Sequence, residues 1–246
     1  MYNNTRSKQI IERDYTIWSR QSWPSNRFKI LRNWLVWEWL LNWDATDSLW
    51  LNNGTATNMS WVDSWVGYTK QAGSFNWTTS KVIASFSNNS ASNPIVFSCR
   101  FKINTGETSW HLIAIWDNTG IRIDMFVNNL TWNIKLYWYS ASSVTTREFY
   151  WNTIIQPNIW YLAQMVRPTT WTNEELYINW IKETLTYTAL GTPWTIVTTV
   201  LTIWMINVWT EVNFLNWIIQ NTRIYNRVLS NKEIQILYKE WLKLLH

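Results

Sequence analysis

The carboxylates and histidines of this 246-residue chain are too scattered to predict a catalytic site. Glycoside hydrolysis needs two carboxyl groups, about 5 Å apart in retaining enzymes, and the adjacent Glu174 and Glu175 would point to opposite faces of a strand. The two histidines, His111 and His246, are too few for a zinc site or a histidine-based triad. The sequence therefore predicts a protein that is not an enzyme.

One polar loop contains candidate ligands for calcium. Asp44, Asp47 and Asn53 lie close together in the sequence, and Ca²⁺ accepts carboxylate, amide and loop carbonyl oxygens. The same aspartates could instead accept hydrogen bonds from nearby turn amides. Calcium is therefore a candidate cofactor, and turn stabilisation is the alternative.

A short aromatic run supplies the candidate carbohydrate-binding residues. Tyr137, Trp138 and Tyr139 are consecutive, and aromatic rings present flat apolar surfaces on which sugars stack. Side chains alternate between the two faces of a strand, so at least one of the three must face the core. The run predicts a binding surface on the exposed face of its strand.

The net positive charge of +5 is confined to the beginning of the chain. Residues 1–33 hold seven basic and two acidic side chains, whereas the remaining 213 residues hold fourteen of each sign. A nucleic-acid-binding domain would concentrate Lys and Arg on its folded body, so no nucleic-acid partner is expected. We expect residues 1–32 to form a basic linker or N-terminal extension without a signal-peptide pattern. Residues 33–246 are expected to form one domain with no membrane span.

Tryptophan occurs 23 times and glycine only six times, although glycine normally makes up about 7% of residues. Several tryptophans follow asparagine, at the position that an Asn-Gly hairpin turn gives to glycine. Some bacterial lineages read the codon UGA as glycine, and a translation that reads UGA as tryptophan would create this pattern. The alternative is a genuinely Trp-rich sugar-binding surface, which would not explain the Asn-Trp spacing.

We call thirteen of these tryptophans the glycine-context set, and we predict that they are glycines in the native protein. The exchange would leave ten tryptophans and nineteen glycines, an ordinary glycine share. We expect Trp43, Trp180 and Trp217 to lie at strand ends or turns, exposed or with positive φ, whereas Trp39 and Trp160 are true tryptophans. The set comprises Trp34, Trp37, Trp43, Trp50, Trp77, Trp132, Trp151, Trp171, Trp180, Trp204, Trp209, Trp217 and Trp241.

The elements that position these residues are predicted to be mostly strands. Residues 121–125 alternate apolar and polar side chains, as a strand with one face in a core does. Ser230 and Glu233 form the capping-box pattern of a helix that should run to about residue 240. The single cysteine, Cys99, is predicted to be a buried thiol in an apolar run.

Strands are predicted at 35–41, 74–75, 81–85, 95–103, 111–116, 121–127, 133–139, 160–167, 174–179, 196–203 and 218–225. Their number and spacing predict an all-β fold, a two-sheet antiparallel β-sandwich of jelly-roll type with one short C-terminal helix.

Six segments in order resemble those of one domain family. Residues 33–41 read NWLVWEWLL, similar to a first strand GLVGYW once Trp34 and Trp37 are glycine, and residues 47–55 read DSLWLNNGT, similar to DSSGNGNNGT. Residues 73–77, 159–167, 176–180 and 214–230 resemble SFNG, WYHVAVVR, LYVNG and FNGKIDEVRIYNRALS. The chain thus resembles the laminin-G-like jelly-roll domains of the concanavalin-A-like lectin and glucanase superfamily.

The resemblance implies a non-catalytic carbohydrate-binding or adhesion module of an extracellular or cell-surface protein, assisted by calcium, with a glycan or a surface protein as partner. A structural spacer and a degenerate glycoside hydrolase are the alternatives. The chain departs from the family at Gln220 and Asn221, where an acidic pair is common, and at Leu162, where the family has histidine. It also lacks the Glu-x-Asp-x-x-Glu string that the glucanases of the superfamily carry.

Overall fold

Every element named below lies in Leu35–His246, the second of the two units into which the chain divides, and Met1–Trp34 is the first. The computed structural model describes residues 31, 33–63, 71–76, 79–86, 95–104, 110–116, 122–127, 131–139, 145–168, 174–190, 199–203 and 217–242. Strands dominate these residues, and all of their pairings are antiparallel.

The first sheet has eight strands. They are β1 (Leu35–Trp39), β3 (Ser60–Asp63), β4 (Gln71–Ser74), β6 (Ile95–Ile103), β11 (Trp160–Arg167), β12 (Glu175–Ile178), β13 (Ile181–Lys182) and β16 (Trp217–Tyr225). Their order across the sheet is β13-β12-β11-β6-β16-β4-β3, and β1 also pairs with β16. The longest strands, β6 and β16, lie side by side at the centre of the sheet.

The second sheet also has eight strands. They are β2 (Thr55–Thr57), β5 (Lys81–Phe86), β7 (Trp110–Trp116), β8 (Arg122–Val127), β9 (Asn133–Tyr139), β10 (Thr145–Ile154), β14 (Leu185–Leu190) and β15 (Thr199–Ile203). Their order across the sheet is β14-β10-β9-β8-β7-β15-β5-β2. The run from β7 to β10 forms a meander, because each of these strands pairs with the next along the chain.

The core lies between the two sheets. Alternate residues of β6, including Phe97, Cys99 and Phe101, join Ile134 and Leu136 of β9 in one buried cluster. This alternation is what period-2 strands produce when one face of each sheet is covered by the other. The predicted all-β sandwich is therefore confirmed.

Cys99 is fully buried, as its apolar run predicts. Burial raises the pKa of its thiol to about 12, although the hydroxyl of Thr222 donates a hydrogen bond to Sγ at 3.7 Å. The thiol therefore stays protonated and unreactive at neutral pH.

The C-terminal helix, α1 (Asn231–Leu242), begins at the predicted capping box. The Ser230 amide donates to Glu233 Oε2 at 2.8 Å, and the Glu233 amide donates to Ser230 Oγ at 3.4 Å. Arg227 binds the same carboxylate through both terminal nitrogens, at 2.9 and 2.5 Å. The capping box is confirmed, and Arg227 is an additional partner that the sequence pattern did not reveal.

The Glu233 carboxylate should make stability depend on pH. Hydrogen bonds from the Arg227 side chain lower the pKa of Glu233 from 4.5 to about 2. Because the folded state favours the carboxylate, its stabilisation is present above pH 4.5 and is lost as the pH falls towards 2. At neutral pH, the free energy of unfolding of the Glu233→Gln variant should be roughly 0.5–1 kcal/mol lower than that of the parent chain. Near pH 2, where Glu233 becomes protonated, the two chains should be about equally stable.

Urea unfolding across this pH range measures the difference between the two chains. Lys232→Gln, which changes a neighbouring residue of the same turn, is the matched control. A Glu233→Gln effect that is the same at every pH would contradict the assignment.

Three members of the glycine-context set adopt the left-handed backbone conformation. The φ angles are 61° at Trp50, 58° at Trp132 and 70° at Trp180. Of the other non-glycine residues described with positive φ, all but Leu41 are asparagine, which tolerates this region far better than a bulky residue does. A tryptophan is strained in this region, whereas a glycine is not.

The β12–β13 hairpin gives the clearest case. Ile178 pairs with Ile181, so Asn179 and Trp180 form a two-residue turn in which both φ angles are positive. This is the geometry of a type I′ turn, which strongly prefers Asn-Gly. Trp180 therefore occupies the glycine position of the turn, as predicted, and the residue is 43% exposed.

Other members of the set divide between the surface and the core. Trp43 is 65% exposed at a bend, as predicted. Trp217 lies at a strand end, as predicted, because it is the first residue of β16. It is buried and its φ is not positive, so the expectation of exposure or positive φ is wrong at this position. The large apolar indole fills space between the sheets and stacks on Phe101 at 5.2 Å. Trp37 and Trp151 are buried too. Side chains at Trp77, Trp171, Trp204, Trp209 and Trp241 lie outside the described residues.

Two buried members of the glycine-context set leave the indole N–H without a hydrogen-bond acceptor among the described residues. No hydrogen-bond acceptor among the described residues reaches the buried indole nitrogens of Trp151 and Trp217, whereas the indole of Trp39, outside the set, donates to the Asn52 carbonyl at 3.3 Å. Buried tryptophans normally find such a partner, and an orphaned donor costs about 1–3 kcal/mol. Tryptophan thus fits these two sites less well than it fits position 39.

Candidate functional site

A polar aromatic cluster lies on the outer face of the second sheet. Its members are Lys135 and Tyr137 of β9 and Glu148 and Tyr150 of β10, and we call it the tyrosine patch. The residues that alternate with them are buried in the core, so these four side chains must point the other way. Each of the four is partly exposed.

Cross-strand pairing arranges the patch as a checkerboard. Tyr137 lies opposite Glu148, and Lys135 lies opposite Tyr150. The Lys135 ammonium is 3.0 Å from Glu148 Oε1, and it lies 5.5 Å from the Tyr150 ring centroid and 5.9 Å from that of Tyr137. The ion pair and the two cation–π contacts hold all four side chains in one arrangement.

This arrangement is suited to polyhydroxylated ligands. Tyrosine rings offer apolar surface with a polar tip, while the Glu148 carboxylate can accept hydrogen bonds from hydroxyl groups and the Lys135 ammonium can donate them. Fixed side chains lose little conformational entropy when a ligand binds. The patch therefore combines apolar ring surface with one hydrogen-bond acceptor and one donor at fixed positions.

Of the three aromatic residues predicted from the sequence, Tyr137 belongs to the patch. Trp138 and Tyr139 continue β9, where their backbones pair with Ile123 and Arg122 of β8. Their side chains lie outside the described residues.

Sequence reasoning missed Lys135, Glu148 and Tyr150 as site residues. β10 was not predicted as a strand, because register shifts at Thr145/Arg147 and Glu148/Phe149 interrupt its alternation. Its content of Thr, Phe, Tyr, Trp and Ile was the signal that could have revealed it.

The predicted calcium loop is organised by Asp47 instead. This buried carboxylate accepts hydrogen bonds from the amides of Glu38 at 3.0 Å, Leu49 at 3.2 Å and Asn52 at 3.0 Å. The Asn53 side-chain oxygen accepts from the Asp47 amide at 3.0 Å. These oxygens point at N–H donors, which a cation would have to displace.

Asp44 has a separate role, since it accepts a hydrogen bond from the Thr46 amide at 2.9 Å in an exposed turn. The nearby Glu38 carboxylate is held by Arg223 at 2.6 Å and by the Ser48 hydroxyl at 2.6 Å. Within the described part of the chain, no three His, Cys, Asp or Glu side chains gather as a metal site would require. The loop fits turn stabilisation better than calcium binding, and calcium stays a prediction.

Asp47→Ala is expected to lower the free energy of unfolding by about 2–4 kcal/mol, because three amides, one buried and two partly buried, lose the buried carboxylate that accepts their hydrogen bonds. The matched control is Asp44→Ala, which removes one exposed hydrogen bond and should cost less than about 1 kcal/mol. Urea unfolding with calcium chloride and with a chelator measures both variants. If Asp47→Ala lowers the free energy of unfolding only when calcium is present, the calcium hypothesis would be restored.

Comparisons with known proteins find matches among solved structures only. No protein-family model and no curated protein matches the chain. Among solved structures, the ligand-binding domain of botulinum neurotoxin serotype D in complex with N-acetylneuraminic acid matches 87% of this chain and 52% of its own, with a TM-score of 0.65 and 15% identity. The binding domain of Paraclostridial Mosquitocidal Protein 1 matches 85% and 52%, with a TM-score of 0.64 and 16% identity.

Domain 4 of AbnA, a GH43 extracellular arabinanase from Geobacillus stearothermophilus, was solved in complex with arabinotriose. It matches 83% of this chain and 98% of its own, with a TM-score of 0.62 and 16% identity. The chain therefore spans about half the length of the toxin domains and nearly all of the arabinanase domain. At these identities the likeness establishes a shared β-sandwich fold. None of the helices described in this structure is long and apolar enough to cross a membrane.

Proposed function

We propose that the chain is a non-catalytic glycan-binding module of laminin-G-like type, with the tyrosine patch as its binding surface. The observation that carries the proposal is the checkerboard of Tyr137, Glu148, Lys135 and Tyr150, which joins two sugar-stacking rings to a fixed hydrogen-bond acceptor and donor. Two neighbours in fold support it, since one was solved with N-acetylneuraminic acid and the other with arabinotriose.

The small number of carboxylates in the tyrosine patch supports the proposal that the module is not catalytic. The tyrosine patch contains one carboxylate, Glu148, and Lys135 neutralises it. Glycoside hydrolysis normally requires two carboxyl groups flanking the bond. The proposal includes a location outside the cell or on its surface, which is supported by a neighbour of the same fold that belongs to an extracellular enzyme.

A glycan array tests the function. The chain should bind a restricted set of immobilised glycans, and the array is run with calcium and with a chelator to test calcium assistance. A blank array under both conditions would favour a structural spacer. Release of reducing sugar from a bound glycan would revive the degenerate hydrolase.

We also infer that the glycine-context tryptophans are glycines in the native protein, encoded by UGA. Three lines of evidence support this: the positive φ angles at Trp50, Trp132 and Trp180, the type I′ turn at Asn179-Trp180, and the orphaned indole nitrogens of two buried members. The tyrosine patch and Trp160 contain no member of the set, so the proposed function does not depend on this reassignment.

A further inference from the structure

A second cluster lies on the outer face of the first sheet. Trp160 of β11 pairs directly with Lys102 of β6, and Arg100 is two residues before Lys102 on the same face. The alternating residues Tyr161, Phe101 and Cys99 belong to the core, so the three side chains point away from it. Trp160 lies outside the glycine-context set and is a true tryptophan in our account.

Two cations flank the Trp160 ring. Arg100 Cζ is 4.2 Å from the ring centroid, and Lys102 Nζ is 5.6 Å from it. Arg100 is buried and donates a hydrogen bond from Nη1 to Gln220 Oε1. Burial lowers the pKa of Arg100 to about 9, so its guanidinium remains charged at neutral pH and fixes the ring from a buried position.

Lys102 differs from Arg100, because it is partly exposed. Among the described side chains, no carboxylate lies within ion-pair distance of its ammonium. By contrast, Lys135 and Lys182 are each paired with a glutamate. An ammonium held beside an aromatic ring without such a partner presents positive charge to an incoming anion.

Surface beyond the ring is available for a larger ligand. A cross-strand row leads away from Trp160 over β6, β16, β4 and β3, and every member is at least partly exposed. The row consists of Trp160, Lys102, Ile218, Ser74 and Ser60. Its aromatic and cationic groups lie at one end, and its hydroxyls lie at the other.

We propose that Trp160 and Lys102 form a second binding site, for a sugar that carries a carboxylate. The sugar ring packs against the indole, and its carboxylate forms an ion pair with Lys102 Nζ, with Arg100 as a positioning residue for the ring. A neutral sugar would leave the charge of Lys102 unused, so the site distinguishes acidic from neutral saccharides. The inference rests on the proposed function for its ligand class, but on different residues.

Saturation-transfer NMR with glucuronic acid and with glucose tests the site on the full chain. The parent chain should bind glucuronic acid better than glucose, and Lys102→Gln should weaken glucuronic acid about tenfold while leaving glucose unchanged. Trp160→Phe, which keeps an aromatic ring, should weaken both sugars. Lys182→Gln, a lysine paired with Glu175, is the matched control and should change neither.

Equal binding of glucuronic acid by the parent chain and Lys102→Gln would overturn this inference, as would no binding by the parent chain. Its failure is distinguishable from that of the tyrosine patch. If array ligands are lost on changing Tyr137 and Tyr150 while glucuronic acid fails to bind, the patch stands and the second site falls. If glucuronic acid binds through Lys102 while the array is insensitive to the tyrosines, the second site stands and the patch falls.

Discussion

Replacing Trp50, Trp132 and Trp180 together by glycine should raise the free energy of unfolding of the chain by about 2–4 kcal/mol. All three have positive φ, which costs a residue with a side chain about 1–2 kcal/mol per site relative to the right-handed region. Part of this gain is offset, because glycine loses more backbone entropy on folding. Each site lies in a different turn, so the three effects should add.

This expectation is unusual, since the loss of three indoles normally destabilises a protein. The control is Trp39→Gly, at a fully buried tryptophan with ordinary φ and a satisfied indole nitrogen. It should cost at least about 3–5 kcal/mol. Urea unfolding of both variants measures the contrast, and a triple variant less stable than the parent chain would show that the turns do not require glycine.

Replacing Tyr137 and Tyr150 together by alanine should reduce the affinity for any glycan identified on the array about 100-fold. Stacking on an aromatic ring is worth about 1–3 kcal/mol per ring in related base-stacking sites, and two rings lost together correspond to about two decades in the dissociation constant. Surface plasmon resonance with the array ligand measures the change.

The tyrosines allow two informative controls. Tyr187→Ala removes an exposed tyrosine from the same sheet, but its ring contacts the core residue Phe149 at 5.5 Å and lies on the opposite face from Tyr150. It should leave binding unchanged, and the double Tyr→Phe variant should retain most of it. Full binding by the double alanine variant would place the glycan elsewhere on the domain.

The fold could be predicted because its signals are local. Residues 122–125 of the strand β8 alternate polar and apolar side chains. The helix start depends on a capping box contained in four residues, Ser230 to Glu233. The Asn179-Trp180 turn was predictable for the same reason, since a type I′ hairpin is specified by two residues. In each case the physics that fixes the element acts within a few positions along the chain.

The site was only partly predictable, because it depends on pairing between strands. Tyr137 could be chosen from its own aromatic run, but its neighbour Glu148 comes from a strand whose register shifts hide its period. Lys102 and Trp160 lie 58 positions apart and meet only through the β6–β11 ladder. The burial of Trp217 likewise depends on how the two sheets pack, which the Asn-Trp dipeptide does not specify.

Mass spectrometry of the protein from its native host tests the reassignment of the glycine-context tryptophans most directly. Trypsin does not cut readily between Arg167 and Pro168, so one peptide covers residues 148–182 and contains Trp151, Trp160, Trp171 and Trp180. We expect the fragment spectrum of this one peptide to show glycine at 151, 171 and 180 and tryptophan at 160. Tryptophan at all four positions would contradict it.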